Sequence, residues 1–524
     1  MANTGPDGKY GNIVYVFVPF RFDGDVAADR QAKITRVLRA AKGLCARKDG
    51  GQGTHGDPVW EDGADGIRSY FLKYLTDKIA QPAGGQPDRR GCVYLSAKES
   101  RLGWAGDRDG AEWEKTLEAQ RGRFGFSMAD VFHLYQPTYM DNTSEKVDFR
   151  FRLDSLKLSV FGTGVGIVSF GMVMDLDGAL DIAHAEYLLK MATGDPDPSK
   201  VAAHARSRIL WREGDSDRTD LTAMAMRVVQ SVVGPEDVRF GFYSQKPRVN
   251  VFSLVLAGDG WDGADFERTR FYLSNGYGPG YMSPDDNRGA DAQYLGDPNI
   301  CWGVSNEVAC CIARPELHPP AKHFIYDSFY YKFRREYLFM YIWLLHQKYA
   351  LYAFLTDISA QGLSVASPGK GAALRDYKRR FADFEANYVF ARVTEVPQYQ
   401  RLYDAVSRQF ALQSMYDDVK EPLVALEELA RDDEARIKER EQRSATRITT
   451  ILAGMALLSV FSAYVDSYDF IGKFFGGDQG RQEEGILYGQ KACAWLITVV
   501  ICLGLVYLLY CACKGAFGRK KGGT

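Results

Sequence analysis

The chain has few of the signatures by which a sequence announces chemistry. Nine cysteines occur in 524 residues, yet no C-x-x-C pair is present. Cys45, Cys92 and Cys301 stand alone and Cys310 and Cys311 are adjacent in a strand-like run, a distribution that argues against a zinc ribbon and a disulfide scaffold. Seven histidines, His55, His133, His184, His204, His318, His323 and His346, do not cluster. G-x-S-x-G, a Walker loop and H-E-x-x-H are all missing, so no enzyme activity and no catalytic residue is expected, and no metal ligand set is assigned. Charge is balanced, 65 Lys and Arg against 67 Asp and Glu, with no basic stripe interleaved with aromatics. Nucleic acid is therefore not an expected partner. The opening MANTGPDGKYG lacks the apolar core of a signal peptide, which predicts that the front of the chain stays in the cytoplasm.

What is present begins with glycine. FGTGVGIVSFGM, Phe161 to Met172, resembles a phosphate loop, but no helix start follows Gly166. Leu156, Leu158 and Val160 before it and Val168, Phe170, Met172 and Met174 after it keep a period of two. The pattern predicts a β-hairpin, with Gly162, Gly164 and Gly166 serving the turn and the strand start. MDLDGALDIAH, Met174 to His184, carries acids near calcium-loop offsets but has His184 where a bidentate glutamate is needed. It reads as a strand-to-helix turn capped by Asp177 or Asp181.

The length predicts two or more cores. Strand-like runs at Ile13 to Phe20, Val93 to Leu95, Val131 to Tyr135, Val238 to Tyr243, Val249 to Leu256 and Val308 to Ala313 alternate with amphipathic helices at Asp29 to Leu44, Asp65 to Ala80, Asp181 to Thr193 and Thr219 to Val233. This predicts an α+β or α/β unit over residues 1–320. Lys48 to Pro58 and Pro82 to Gly91 are glycine-rich and predict exposed loops. Gly258 to Cys301 predicts a long irregular segment whose Trp261, Tyr277 and Tyr281 could stack on a nucleotide base or simply fill surface. The run Tyr337 to Leu345 is too short to span a bilayer, so Phe324 to Ile358 predicts a long buried helix with His346 a satisfied histidine.

Residues 321–421 read as helical and 422–447 as a stalk helix, with Pro422 marking a kink or the first turn. Two uncharged apolar runs follow, at 448–465 and 492–513, joined by a loop at 466–491 and closed by a tail at 514–524. Their length predicts two transmembrane helices. Arg443 and Arg447 before the first run and Lys514, Lys520 and Lys521 after the second are expected at the membrane interface, and the loop between is acidic. The positive-inside rule then puts both termini in the cytoplasm of a multi-pass protein of the inner (plasma) membrane, with the lipid bilayer as partner. The expected fold class is an α+β cytosolic domain followed by a long helical stalk and a C-terminal two-helix transmembrane hairpin.

That layout resembles the CorA-type magnesium transporter superfamily over about the last 200 residues. FGTGVGIVSF, LLHQKYAL and VTEVPQYQRLYDAVSRQFALQSMYDDVKEPLVALEEL also look like large divergent CorA-like proteins, some of them associated with type III CRISPR defence. The resemblance implies a homo-oligomer, a pentamer, forming a channel or transporter for divalent cations gated by its large cytosolic domain. Alternatives are a membrane effector of antiviral defence opened by a nucleotide messenger, and a membrane-tethered binding or signalling module without a pore. Implied ligands are Mg2+ or another divalent cation in the first case and a nucleotide in the second. The chain departs from the family where a Gly-Met-Asn motif should close the first span; FSAYVDSYDFIGKFF stands there instead, which puts magnesium selectivity in question and leaves the implied pentameric scaffold, a matter of packing, in place. Thr449, Ala453, Ala456, Ser459, Ser462 and Asp466 share one small or polar stripe, which suits a pore lining or close helix packing.

Overall fold

The computed structural model describes residues 11–22, 27–45, 57–64, 67, 70–79, 91–99, 110–136, 147–174, 176, 178–193, 208–210, 218–234, 238–242, 247–257, 263–278, 293–296, 299–317, 319–361, 371–475, 496, 499, 500, 503, 504 and 507. The chain divides into two compact units, Met1–Leu426 and Glu427–Thr524.

Strands in the first unit are β1 (Asn12–Phe22), β2 (Trp60–Asp62), β3 (Cys92–Ala97), β4 (Val131–Gln136), β5 (Val147–Phe161), β6 (Val165–Met174), β7 (Arg208–Leu210), β8 (Arg218–Thr219), β9 (Val238–Arg239), β10 (Asn250–Leu256), β11 (Gln293–Gly296), β12 (Ile300–Val304) and β13 (Val308–Ala313). Helices are α1 (Ala27–Cys45), α2 (Lys73–Ile79), α3 (Gly110–Phe124), α4 (Ala179–Met191), α5 (Leu221–Val233), α6 (Gly263–Asn275), α7 (Pro319–Phe324), α8 (Tyr330–Lys332), α9 (Leu338–Gln361), α10 (Gly371–Tyr388), α11 (Pro397–Gln409) and α12 (Leu412–Phe475).

One mixed sheet runs in the order β11-β12-β13-β10-β1-β6-β5-β4-β7-β8, with β3 also on β5, β2 on β3 and β9 on β1. Its β10–β13 pairing is parallel. At the centre, β1 is apolar on both sides because both sides are covered. Ile13, Tyr15 and Phe17 enter one core, with side chains of α2, α9, α10 and α11. Val14, Val16 and Val18 enter the other, with side chains of α1, α4, α5 and α6. The result is a sheet between two helical layers.

The glycine-rich stretch is the hairpin that its alternation predicts, β5 and β6 pairing antiparallel with Val160 opposite Gly166. Gly164 has a φ of 86° at the turn. Gly166 answers a packing need, since a Cβ there would lie 2.1 Å from the Phe20 ring. Farther down β5 the register shifts between Leu153 and Ser155. The bulged residue, Asp154, ion-pairs with Arg334.

Several local expectations need correction. Asp220 caps α5, its carboxylate accepting from the Ala223 amide at 2.8 Å, but the cap residue of α4 is Gly178, which supplies no side-chain cap. Asp181 therefore lies inside the first turn, and Asp177 is outside the described residues. Of the helix expected over Asp65 to Ala80, residues 67 and 70–79 are described, and α-helix is found only from Lys73, as α2. Gly258 to Cys301 is not wholly irregular, because α6 and β11 fall within it and Phe271 and Leu273 of α6 are buried. Pro422 neither starts nor ends a helix; it lies inside α12.

The long buried helix expected over Phe324 to Ile358 is found as α7, α8 and α9 joined through two π-helical stretches, Ile325–Phe329 and Phe333–Tyr337. Such wide turns shift which side chains share a face. Here Phe329, Phe333 and Tyr337 all meet Trp302, at 6.3, 6.0 and 5.3 Å between ring centroids.

The second unit overturns the largest expectation. No helix among the described residues is long and apolar enough to cross a membrane. The first expected span is the end of α12, whose earlier residues are dominated by acidic and basic side chains and whose side chains are described only as far as Ser462. From the second, Leu496, Val499, Val500, Leu503 and Gly504 with Tyr507 are the described residues, too few for a spanning helix. The two-helix transmembrane hairpin, the multi-pass inner-membrane placement with cytoplasmic termini, and the channel architecture built on them are accordingly not supported.

Candidate functional site

A helix that is apolar all round has no obvious use for polar side chains at its centre, yet α9 carries His346, Gln347 and Lys348 in succession. All three are buried. Successive residues on a helix point about 100° apart, so the three reach different parts of the fold. His346 Nε2 shares a hydrogen bond of 2.9 Å with the Thr163 hydroxyl in the hairpin turn, and its ring stacks on Phe161 at 3.7 Å. Burial holds its pKa well below the ordinary histidine value, so the ring is neutral. Gln347 Nε2 donates to the Tyr388 carbonyl at 2.9 Å and to the Tyr403 hydroxyl at 3.1 Å, tying α9 to α10 and α11. Gln347 is a structural polar group with its partners in place; the expectation of a satisfied histidine at His346 holds at Nε2 only, because among the described residues its buried Nδ1 has no hydrogen-bond partner.

Lys348 differs. Its Nζ donates to the Asn306 carbonyl oxygen at 2.6 Å and to Asn306 Oδ1 at 2.9 Å, in the turn between β12 and β13. Beside it opens a cavity of about 260 Å³ lined by Phe240, Phe242, Arg248, Asn250, Asn306, Glu307, Lys348, Tyr349 and Tyr352. Three chain segments build it: the approach to β10, the β12–β13 turn, and one face of α9. Asn250 locks two of them together. Its Nδ2 donates to the carbonyl oxygens of Asn306 and Glu307 at 3.4 and 3.2 Å, and its Oδ1 accepts from the Tyr349 hydroxyl at 2.6 Å.

The electrostatics are uneven. Glu307 is held by Lys190 on one oxygen and by Arg248 on the other, both at 2.7 Å. Although burial acts to raise it, Lys190 and Arg248 keep the Glu307 carboxyl below its ordinary range. Burial pushes the Lys348 ammonium down to about 7, against a weaker opposing pull from Glu307. On its other side Lys348 Nζ lies 4.3 Å from the centroid of the Phe410 ring. Phe410 is the cap residue of α11, and the next residue, Ala411, turns the chain into α12 with a φ of 52°. A backbone angle that side chains rarely adopt marks this corner as held by its surroundings.

The residues singled out by sequence fall elsewhere. Tyr277 packs at the edge of the core, 5.8 Å from Phe271, and Trp261 and Tyr281 lie outside the described residues. Thr449 and Ser459 return their hydroxyls to the carbonyls of Ala445 and Met455, a turn earlier, at 2.8 and 3.0 Å. Ser462 is exposed, as are Ala453's neighbours Leu452 and Met455, and nothing is described of the Asp466 side chain. Arg443 pairs with Glu439 at 2.7 Å, Arg447 is exposed, and Lys514, Lys520 and Lys521 lie outside the described residues. Among the described residues no group of three or more His, Cys, Asp or Glu side chains could hold a metal ion. The polar interruption of the apolar run was the one visible sign of the cavity, and without its partners it pointed to no ligand. No family model matches the chain, and no curated protein matches it.

Proposed function

We propose that the first unit is a ligand-responsive regulatory module, a sensor with no catalytic step, whose receptor is the cavity between β10, the β12–β13 turn and α9. The observation that carries this reading is the position of Lys348, which lines the cavity and at the same time rests on Phe410, the residue before the Ala411 corner into α12. A ligand that engages Lys348 changes its packing on Phe410 and so biases the start of α12, provided its affinity differs between the two arrangements. Binding is thereby turned into a change in a helix, which is the output such a module needs.

Of the alternatives given above, a binding or signalling module without a pore and a response to a nucleotide messenger are the two that accord with this site. Transport of cations through spanning helices is not carried forward. The homo-oligomer is retained as a proposal, supported by α12, where Ile448, Ile451, Leu452, Met455, Leu458 and Val460 are each more than half exposed. Ile448 and Met455, and Ile451 and Leu458, are spaced as the two apolar positions of a heptad, which suits packing against copies of the same helix.

The test is thermal melting of the full chain against a panel of small organic ligands, nucleotides included. A ligand that uses the cavity raises the midpoint of the native protein and not that of F242W, whose larger ring narrows the site. It also slows amide exchange across residues 405–415. Stabilisation that persists in F242W would place the ligand elsewhere and remove the reading.

A further inference from the structure

The cavity wall poses an electrostatic problem that the protein itself leaves open. Lys348 is 3 % exposed, and among the described residues no carboxylate lies within ion-pair distance of its Nζ; its two acceptors are the neutral oxygens of Asn306. Glu307, the acid in the lining, has both oxygens engaged by Lys190 and Arg248. A buried ammonium without a counter-ion is costly to keep charged. The same imbalance extends to the mouth, where the Arg248 side chain is 70 % exposed. The same lining holds rings, with Phe242 and Tyr349 at 4.9 Å and Tyr349 and Tyr352 at 6.0 Å between centroids.

We propose that the cavity is an anion site, in which Lys348 serves as counter-ion to the acid group of a small ring-bearing organic anion whose ring lies against Phe242, Tyr349 and Tyr352. This rests on the reading of the cavity as the receptor and adds the class of ligand it takes. A cavity of about 260 Å³ is at the lower end of ligand pockets, large for a bare inorganic anion and small for a dinucleotide. The acid group supplies the missing negative charge through charge-assisted hydrogen bonds, and the rings bury the apolar part. Arg248 remains able to contact the anion from the mouth while it holds Glu307.

The charge state of Lys348 follows from what faces it. Glu307 and Arg248 face it from the β12–β13 turn and the approach to β10, Lys190 lies behind Glu307 on α4, Tyr349 and Tyr352 belong to its own helix, and α11 contributes the Phe410 ring. With its pKa pushed down to about 7, the amine is largely neutral at pH 8 and takes up a proton when an anion arrives. Affinity is then flat below about pH 7 and falls roughly tenfold for each pH step of one above it, until the pKa of the bound form is reached.

Calorimetry on the full chain with benzoate, phenyl phosphate, benzamide and inorganic phosphate tests this. Either ring-bearing anion is expected to bind at least about tenfold more tightly than benzamide or phosphate, a preference that K348M abolishes. Measurements at pH 8 in two buffers of different ionisation heat should report uptake of a proton. R248Q, altered at an exposed side chain, is expected to weaken the anions severalfold and leave benzamide unchanged, and it carries the test should K348M not fold. Benzamide binding as tightly as benzoate would overturn the anion inference while leaving the receptor in place. Failure of every ring-bearing compound to bind would overturn the receptor itself.

Discussion

His346 Nε2 and the Thr163 hydroxyl meet at 2.9 Å across 183 residues of sequence, joining the middle of a buried helix to the tip of a hairpin. Thr163→Val removes the hydroxyl and leaves the ring nitrogen without its partner. The expected loss is about 1–3 kcal/mol, read as a lower urea midpoint. Because burial holds the His346 pKa well below the ordinary 6.5, this group contributes stability that is present above that value and is lost as pH falls below it. Urea midpoints of the native chain should drop between pH 7.5 and 5.5, and His346→Phe should flatten that part of the fall; an unchanged slope would show that the histidine is not buried neutral.

Glu186 has the opposite sign. It is fully buried on α4, with Oε2 accepting from the Ser253 hydroxyl at 2.9 Å, and burial pushes its carboxyl up to about 8. Its contribution is complete below the ordinary carboxylate range and is lost as pH rises toward 8. Glu186→Gln keeps the acceptor and removes the titration. Denaturation at pH 8.5 should find the variant more stable by up to a few kcal/mol, since each tenfold change in proton affinity between the folded and unfolded chain is worth roughly 1.4 kcal/mol. The difference should shrink as the pH falls and vanish only below the ordinary carboxylate value of 4.5.

Two glycines test how closely neighbouring strands pack and how open the end of α1 is. Gly166→Ala would place a methyl 2.1 Å from the Phe20 ring, where β6 and β1 pair, and is expected to cost about 1–3 kcal/mol or more. Gly43, near the end of α1, has nothing within 4 Å of an added Cβ. Gly43→Ala should therefore stabilise by about 0.5–1 kcal/mol through helix propensity alone. Thermal midpoints moving the same way for both would contradict this arrangement of β1 and β6.

Self-association is expected to reside in the exposed apolar part of α12. Light scattering or native mass measurement of the full chain should give a multiple of the 58.7 kDa monomer. Ile451→Glu with Leu458→Glu, which charges both residues of one heptad position, should reduce it to monomer without altering the melting of the first unit. A native chain that is monomeric at micromolar concentration would remove the oligomer proposal.

Local patterns in the chain were enough to place most of the regular elements. Short runs of β-branched, aliphatic and aromatic residues located β1, β4, β10 and β13, alternation located the β5–β6 hairpin and the missing helix after Gly166 set it apart from a phosphate loop, amphipathic spacing located α1, α4 and α5, and an apolar run located the long helix through α9. Each of these depends on which face of one element leaves water, and that information is contained in a dozen neighbouring residues. Apolar runs near the C-terminus were a weaker guide, since hydropathy records a side chain's preference to leave water and not what it leaves water for.

The candidate site was not legible in this way and took long-range packing to assemble. Arg248, Asn306 and Lys348 lie on three segments, and nothing in the spacing of QKPRVN, VSNEV and LLHQKYA relates them. Their meeting depends on the parallel pairing of β10 with β13 and on α9 crossing the sheet, both of which are settled by long-range packing. The same holds for the charges: a lysine in a sequence is a cation, and it is burial against neutral oxygens, with the neighbouring carboxylate already taken, that leaves Lys348 in need of an anion.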